Sequence, residues 1–288
     1  MSSETIVHKS HLSKAPSCCA PGKVLVGDCL DVMRSLPDQS VDLVLGSPPY
    51  EAARTYGIGF NLRGQDWVDW MLPRIAEMRR VCKGLVVLVV EGQTRHYRYS
   101  AAPLLLMADL HRAGYHLRKP PIYYRLGIPR NGGPDFLRND YEFCICVAPP
   151  GRLPWSDPAA LGTPPIGETP GTRRATTKRV CSGAMKRGTY CTPKLVNPGN
   201  VIRCLNAGKS DTPLRKRNEA PYPERLCELF IRSFCPPGGV VLDPFSGSGT
   251  TAAVAKRHGR RFVAIDVRES QTQLTQERLA AVGGCDAV

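Results

Sequence analysis

The stretch "VVLDPFSGSGTTAAVAKRHGRRFVAID", residues 240 to 266, holds one complete strand-turn-helix-strand unit. Val240, Val241 and Leu242 make a short, apolar strand of the kind covered on both faces. Asp243 closes it, a turn with Gly247 and Gly249 follows, and Thr250 to His258 reads as a helix before the strand "FVAID" ends at Asp266. Glycines let backbone amides approach a ligand closely, and the helix N-terminus adds unpaired N–H groups and a favourable dipole. Such a turn suits a carboxylate or a phosphate. Asp266, roughly twenty residues on, stands where an acid accepts hydrogen bonds from both hydroxyls of a ribose.

Three readings of this turn compete. A phosphate-gripping loop requires GxxxxGK[ST], and no lysine follows Gly249, which disfavours it. A dinucleotide site expects GxGxxG, and Ala252 is a tolerated third position, so that reading stays open. An ordinary tight strand-to-helix turn also stays open.

Working outward, helix Pro223 to Phe234 and the turn "CPPGG" lead into this unit, and a helix from Glu269 to about Ala281 follows it. Near the other end of the chain, "KVLVGDCLDVMRSLPDQSVDLVLGSPPY" alternates a strand (Val24 to Val26), a turn of amphipathic helix (Leu30, Met33, Leu36) and a strand (Val41 to Leu45). Trp67, Trp70, Met71, Ile75, Met78 and Val81 keep near-helical spacing from Gln65 to Cys82, and the unbroken apolar run "GLVVLVV" follows. A helix over Ala101 to Ala113 and the strand candidates "PPIYYRLGI" and "YEFCICVA" complete that part. Strands alternating with helices predict a doubly wound, mainly parallel α/β sheet.

Between Pro149 and Arg217 this periodicity disappears, Pro and Gly recur, and only "NVIRCL" reads as a strand. The expected division is a flexible leader (1–22), a first α/β part (23–148), an irregular basic insert (149–217) and a second α/β part (218–288). The 288-residue chain carries a net charge of +14. From Arg152 to Arg217 thirteen basic residues face three acidic ones, so ten of those fourteen charges lie in under a quarter of the length. A polyanion is therefore expected to bind mainly there.

Twelve cysteines raise the question of disulfides or zinc, but no CxxC occurs. Cys144 and Cys146 share one face of an apolar strand and read as small buried hydrophobes. "MSSETIVHKS" lacks the form of a signal peptide, and no apolar run approaches the ~20 residues of a membrane span. A reduced, cytoplasmic protein without metal or membrane partner is expected.

A second corner gives the glycine turn its context. "GSPPY" at 46–50 follows a buried strand just as "LDPFSGSGTT" at 242–251 does. Together, with "RNDYEFCICV" and "APYPERLCELFIRSFCPPGGVVL" in support, they resemble the amino-group DNA methyltransferases of the beta type, in which the catalytic motif precedes the S-adenosylmethionine motif. The similarity runs from Val24 to Leu279 apart from the basic segment. It implies a Rossmann-like, S-adenosylmethionine-dependent methyltransferase fold. Asp243, Pro244, Phe245, Ser246, Gly247, Ser248, Gly249, Thr250 and Thr251 would wrap the methionine part of the cofactor, Asp266 would hold its ribose, and Asp28 would sit near its adenine amino group. The "APYP" segment, Ala220 to Leu226, would close the methionine side. A histidine is common just before it in the family, but Asn218 and Glu219 stand there, so Asn218 is given no role.

Physical reasoning gives the SPPY corner a matching chemistry. An exocyclic amine is a poor nucleophile because its lone pair is delocalised into the base ring. Hydrogen-bond acceptors around it favour a pyramidal nitrogen. Ser47 Oγ and the Pro48 carbonyl can accept from the amine, Pro48 and Pro49 stiffen the backbone without donors of their own, and Tyr50 can stack on an extruded base. Rigid placement puts these groups where charge changes, and a sulfonium donor requires no covalent intermediate.

Carbon methylation of cytosine needs a cysteine, typically in a Pro-Cys pair, and this chain has none. Family members with Ser at the first position of the tetrapeptide mostly act on cytosine N4, whereas Asp or Asn is usual for adenine N6. Cytosine N4 is therefore expected, with adenine N6 as the alternative. The basic segment stands where the family carries its target-recognition region. Arg173, Arg174, Lys178, Arg179, Lys186 and Arg187 are the candidates for contacts to double-stranded DNA. A protein-glutamine or RNA methyltransferase would keep both corners but gives the insert less purpose, and a silent DNA-binding protein would keep the charge without the cofactor. The family contains dimers, which makes a homodimer an expectation as well.

Overall fold

A computed structural model describes residues 22–51, 59–126, 132–180, 182–205 and 223–282. The expected leader falls almost wholly outside these residues, as do Ala220, Pro221 and Tyr222 and the basic residues Lys209, Arg215, Lys216 and Arg217.

The first part runs β1 (Lys23–Val26), α1 (Cys29–Arg34), β2 (Val41–Gly46), α2 (Gly64–Val81), β3 (Cys82–Val90), β4 (Thr94–Arg95), β5 (Arg98–Tyr99), α3 (Ala102–Arg112), β6 (His116–Arg118), β7 (Ile122–Leu126) and β8 (Tyr141–Ala148). The rest runs β9 (Arg173–Arg179), β10 (Met185–Cys191), β11 (Val201–Leu205), α4 (Glu224–Phe234), β12 (Val240–Asp243), α5 (Thr250–Arg257), β13 (Arg261–Asp266) and α6 (Glu269–Ala281). The main sheet has the order β1-β13-β12-β2-β3-β8-β7-β11, with β6 also paired to β8. Its first five strands are mutually parallel, β8 runs antiparallel to β3, β7 and β6, and β11 lies parallel to β7.

Strand alternation splits the apolar residues between two cores. Val44, Val86 and Leu88 face α1, α2 and α3, where Met33, Trp67, Met71, Met78 and Leu106 are buried. Leu43, Leu45, Val87 and Val89 face the opposite side, against Leu226, Phe230 and Ile231 of α4 and Val254 of α5. A sheet covered on both faces explains the unbroken apolarity of β3. Cys144 and Cys146 belong to the second core, as their spacing predicts.

The two α/β parts are interleaved rather than side by side, because β12 of the second inserts beside β2 of the first. Asp42 locks that junction: its Oδ2 accepts from Val240 N at 2.9 Å, and its Oδ1 pairs with Lys83 at 2.9 Å.

The region 149–217 departs from its irregular, one-strand expectation in two ways. "VIRCL" is a strand, but it joins the main sheet beside β7. Ahead of it, β9 and β10 pair antiparallel in full register as a separate two-stranded ribbon. Hydropathy cannot register such a ribbon, because all but one of its fourteen residues are exposed and neither face shows the apolar alternation that burial imposes.

Candidate active site

β2, β12 and β13 are neighbouring parallel strands, so their carboxyl ends open at the same edge of the sheet. The glycine turn and the SPPY corner leave from adjacent strands. They touch: a Cβ on Gly46 would lie 2.8 Å from Asp243 Oδ1 and 3.2 Å from Pro244 Cδ.

The glycine turn is held mostly by its own backbone. Asp243 Oδ1 accepts from Phe245 N at 3.0 Å, and Ser246 N donates to Ile265 O of β13 at 2.8 Å. Gly247 and Gly249 take positive φ of 49° and 75°. α6 forms the floor of the turn: Thr275 Oγ1 donates to Gly247 O at 2.9 Å, and a Cβ on Gly249 would come within 2.6 Å of Thr275 Cγ2. Asp266 accepts from Gly247 N through Oδ2 and from Arg268 N through Oδ1, each at 2.9 Å. A carboxylate holds about four lone-pair sites, so these bonds leave acceptor capacity.

Two further features fit a polar ligand here. α5 starts at Thr250 with no side-chain cap, and the buried Ser246 Oγ has no partner among the described residues. Arg278 braces the turn from behind, donating to Thr250 Oγ1 at 2.9 Å while pairing with Glu224 at 2.7 Å. Glu224 also pairs with Arg257 at 2.7 Å. Burial works against its ionisation, but the two arginines outweigh it and hold the carboxyl below its ordinary range.

The SPPY corner is held by side chains from distant strands. Ser47 Oγ has one proton to give, to Val89 O at 3.1 Å or to Tyr50 OH at 3.2 Å. Either choice leaves its lone pairs available. Tyr50 OH donates to Glu142 Oε2 at 2.7 Å, and burial beside Glu142 pushes the phenol well above its ordinary pKa. Arg125 meets Glu142 Oε1 at 3.1 Å and the Asn139 carbonyl at 2.8 Å. Its Nη2 also lies 2.9 Å from Glu91 Oε2, as an ion pair without hydrogen-bond alignment. Asn139 Nδ2 donates to Glu91 Oε1 at 2.7 Å. Burial lifts the Glu91 carboxyl to about 7 against the opposing pull of Arg125, and it raises Glu142 as well.

One face of α2 ties the site together. Trp67 Nε1 donates to Pro49 O at 2.8 Å, the Trp70 ring lies 6.1 Å from Phe245 of the glycine turn, and Arg74 pairs with Asp28 at 2.8 Å. Positions 67, 70 and 74 follow helical spacing and so point the same way. Arg74 also stacks on Trp70, 3.8 Å from the ring centroid. Asp28 caps α1 through Leu30 N at 2.8 Å, so both its oxygens already have protein partners.

All four SPPY residues, the nine turn residues, Asp28 and Asp266 thus lie at the ends of β1, β2, β12 and β13. Glu142, Arg125, Glu91, Asn139, Trp67, Trp70 and Arg74 were not among the residues expected from the sequence. For Glu142 and Arg125 the signal was a charged residue inside an apolar strand, in "YEFCICV" and "IYYRL", whereas Trp67 and Trp70 showed only as members of a helical repeat. Arg173, Arg174, Lys178, Arg179, Lys186 and Arg187 lie together on the β9–β10 ribbon. No helix among the described residues is long and apolar enough to cross a membrane, and none of their His, Cys, Asp and Glu groups could hold a metal ion.

Fold and site define a class: Rossmann-like α/β proteins that work at the carboxyl ends of their strands. The DNA methylase family, N6_N4_Mtase, matches residues 41–277, and the chain belongs to this family. The DNA adenine methyltransferase YhdJ of Escherichia coli is 26% identical over 263 residues, 89% of this chain and 82% of that relative. The solved PvuII DNA methyltransferase (cytosine-N4-specific) aligns over 90% of this chain and 86% of its own, with a TM-score of 0.68 at 20% identity. The M1.HpyAVI-SAM complex aligns over 89% of this chain and 99% of its own, with a TM-score of 0.53 at 19% identity. The proteins similar to this chain thus include an adenine methyltransferase and a cytosine-N4 methyltransferase.

Proposed function

We propose that this chain transfers a methyl group from S-adenosylmethionine to the exocyclic N4 amine of a cytosine flipped out of double-stranded DNA. The observation that carries the reading is the contact between the two corners at the ends of adjacent parallel strands. When bound, the cofactor supplies an electrophilic methyl on a sulfonium. The uncapped start of α5, the unpartnered Ser246 Oγ and the Asp266 carboxylate suit its amino-acid and ribose groups. Asp243, Pro244, Phe245, Gly247, Ser248, Thr250 and Thr251 complete the wrap, with Gly249 allowing its close approach. Asp28 takes the adenine side with the lone pairs that Leu30 N and Arg74 leave.

Ser47 is the principal acceptor for the amine, because its own proton is committed to the protein. The Pro48 carbonyl, which has no hydrogen-bond partner among the described residues, is the second. Pro49 is fixed by Trp67, and Tyr50 is fixed by Glu142 at its hydroxyl, so its ring is positioned to receive the base. Acceptors placed before the base arrives cost no reorganisation during reaction. Arg173, Lys178, Arg179, Lys186 and Arg187 supply the positive surface for the duplex, and Arg174, paired with Glu168, holds the ribbon that carries them. Ser47 as the first residue of the tetrapeptide favours cytosine N4 over adenine N6.

Incubation with labelled S-adenosylmethionine and duplex DNA, followed by nucleoside analysis, tests this. Label in N4-methylcytosine is expected. Label in N6-methyladenine would move the target to adenine, and no label in DNA would reject both.

A further inference from the structure

The six basic residues of the ribbon divide three and three between its two faces, but not alike: one face carries only arginines and the other holds both lysines. In a paired ribbon, directly opposed residues share a face and successive residues alternate. The register Arg173↔Cys191, Thr177↔Arg187 and Arg179↔Met185 places Arg173, Arg179 and Arg187 on one face with Ala175, Thr177 and Thr189. Arg174, Lys178 and Lys186 lie on the other with Thr176 and Tyr190. No acidic residue occurs in either strand.

The second face is partly committed to the fold. Arg174 stacks over Tyr190 at 5.4 Å and pairs with Glu168, and Glu168 also accepts from Thr192 Oγ1 at 3.1 Å. With Gly171 N donating to Thr192 O at 2.8 Å, these contacts clamp the base of the ribbon. Arg174 is therefore an anchoring residue.

The remaining charges have no such partners. The side chains of Arg173, Arg179, Arg187, Lys178 and Lys186 make no hydrogen bond or ion pair among the described residues. Lys178 and Lys186 are directly opposed across the strands, an arrangement of like charges that destabilises a ribbon. An exposed two-stranded ribbon is at best marginally stable, and neither strand packs extensively on another helix or strand. What would relieve both deficits is a polyanion. Two strands about 5 Å apart fit a DNA major groove about 12 Å wide.

We infer that the β9–β10 ribbon enters the major groove with its arginine face, Arg173, Arg179 and Arg187, against the base edges, and turns Lys178 and Lys186 to the phosphates. Arginine grips guanine through two hydrogen bonds, whereas lysine neutralises phosphate as a point charge. The arginine face would then select the site that is methylated. This inference rests on the DNA-methylation reading.

The test uses the full chain on a pool of randomised duplexes, with methylated positions read by sequencing and binding followed by fluorescence anisotropy across salt concentrations. Substituting Arg173, Arg179 or Arg187 by Ala is expected to relax the methylated consensus at one position each, lowering discrimination there roughly 5- to 150-fold. Lys178→Ala and Lys186→Ala are expected to weaken binding equally on all sequences and to reduce the salt slope by about one each. The three arginine variants should keep the wild-type thermal transition, since their side chains are exposed and make no hydrogen bond or ion pair, and neither lysine variant should lower it, since each removes an opposition of like charges. A consensus that survives the triple arginine substitution, or one that shifts with the lysines instead, overturns the assignment. Wild-type protein that labels no DNA, yet binds duplexes with a salt slope that the lysine substitutions reduce, rejects the methylation reading while supporting the lysine–phosphate contact.

Discussion

The glycine turn and the SPPY corner leave neighbouring strands, yet they are made rigid by different means. Among the described residues, the hydrogen-bond partners of Phe245, Gly247 and Thr250 in the glycine turn come from residues 243 to 278 and act largely on backbone atoms. Ser47 and Tyr50 are held by groups 42 and 92 residues away, through a buried chain of charges. A motif whose rigidity is local can be read from its letters. A motif whose rigidity is borrowed cannot.

Breaking the borrowed part is expected to have the largest effect. Glu142→Ala leaves Arg125 buried and underpaired and frees the Tyr50 hydroxyl, so urea unfolding should show a loss of about 3 to 5 kcal/mol. Cofactor affinity of the protein that remains folded should change less than about twofold, because the glycine turn draws on none of these groups. A weaker turn with an intact corner would reverse the comparison.

Acid and base should then separate the two regions. Glu91, lifted to about 7 by burial, binds its proton more tightly when folded, so stability falls as pH rises from the ordinary carboxylate range to about 7 and then levels off. Glu91→Gln should abolish that decline, which amounts to about 3 kcal/mol. Glu224 behind the glycine turn works in the opposite sense. Its lowered pKa adds stability above the ordinary range that is lost as pH falls through the folded value, and Glu224→Gln should remove that acid-side loss. Unfolding curves of both variants across pH check the two signs.

Gly249→Ala probes local rigidity. A Cβ there meets Thr275 at a φ of 75°, so a cost of about 2 to 3 kcal/mol is expected in cofactor affinity and unfolding together. Calorimetric titration with S-adenosylmethionine measures the first share. The finest division is between roles: Ser47→Ala should lower kcat roughly 100-fold, about 2.7 kcal/mol, with cofactor affinity nearly unchanged. Asp266→Ala should do the opposite. Equal loss of cofactor binding in both would undo the division.

Several features were open to inspection in the sequence alone. The alternation of strands and helices, the glycine turn, the acids at strand ends and the SPPY corner are local patterns, imprinted by burial on both sheet faces and by the steric needs of a left-handed turn. Hydropathy is a record of burial, and it follows that the β9–β10 ribbon left no trace in it. The threonines and the valine flanking its charges were the only hint of a strand.

Tertiary structure decided the rest. It placed β12 beside β2, so that residues near 47 and 243 meet, and it swung Glu142, Arg125 and Glu91 beneath Tyr50. It also turned Trp67, Trp70 and Arg74 of one helix toward three different strand ends. The physical reason is the same each time: periodicity along a chain reports which way a side chain faces, but only strand pairing reports what it faces.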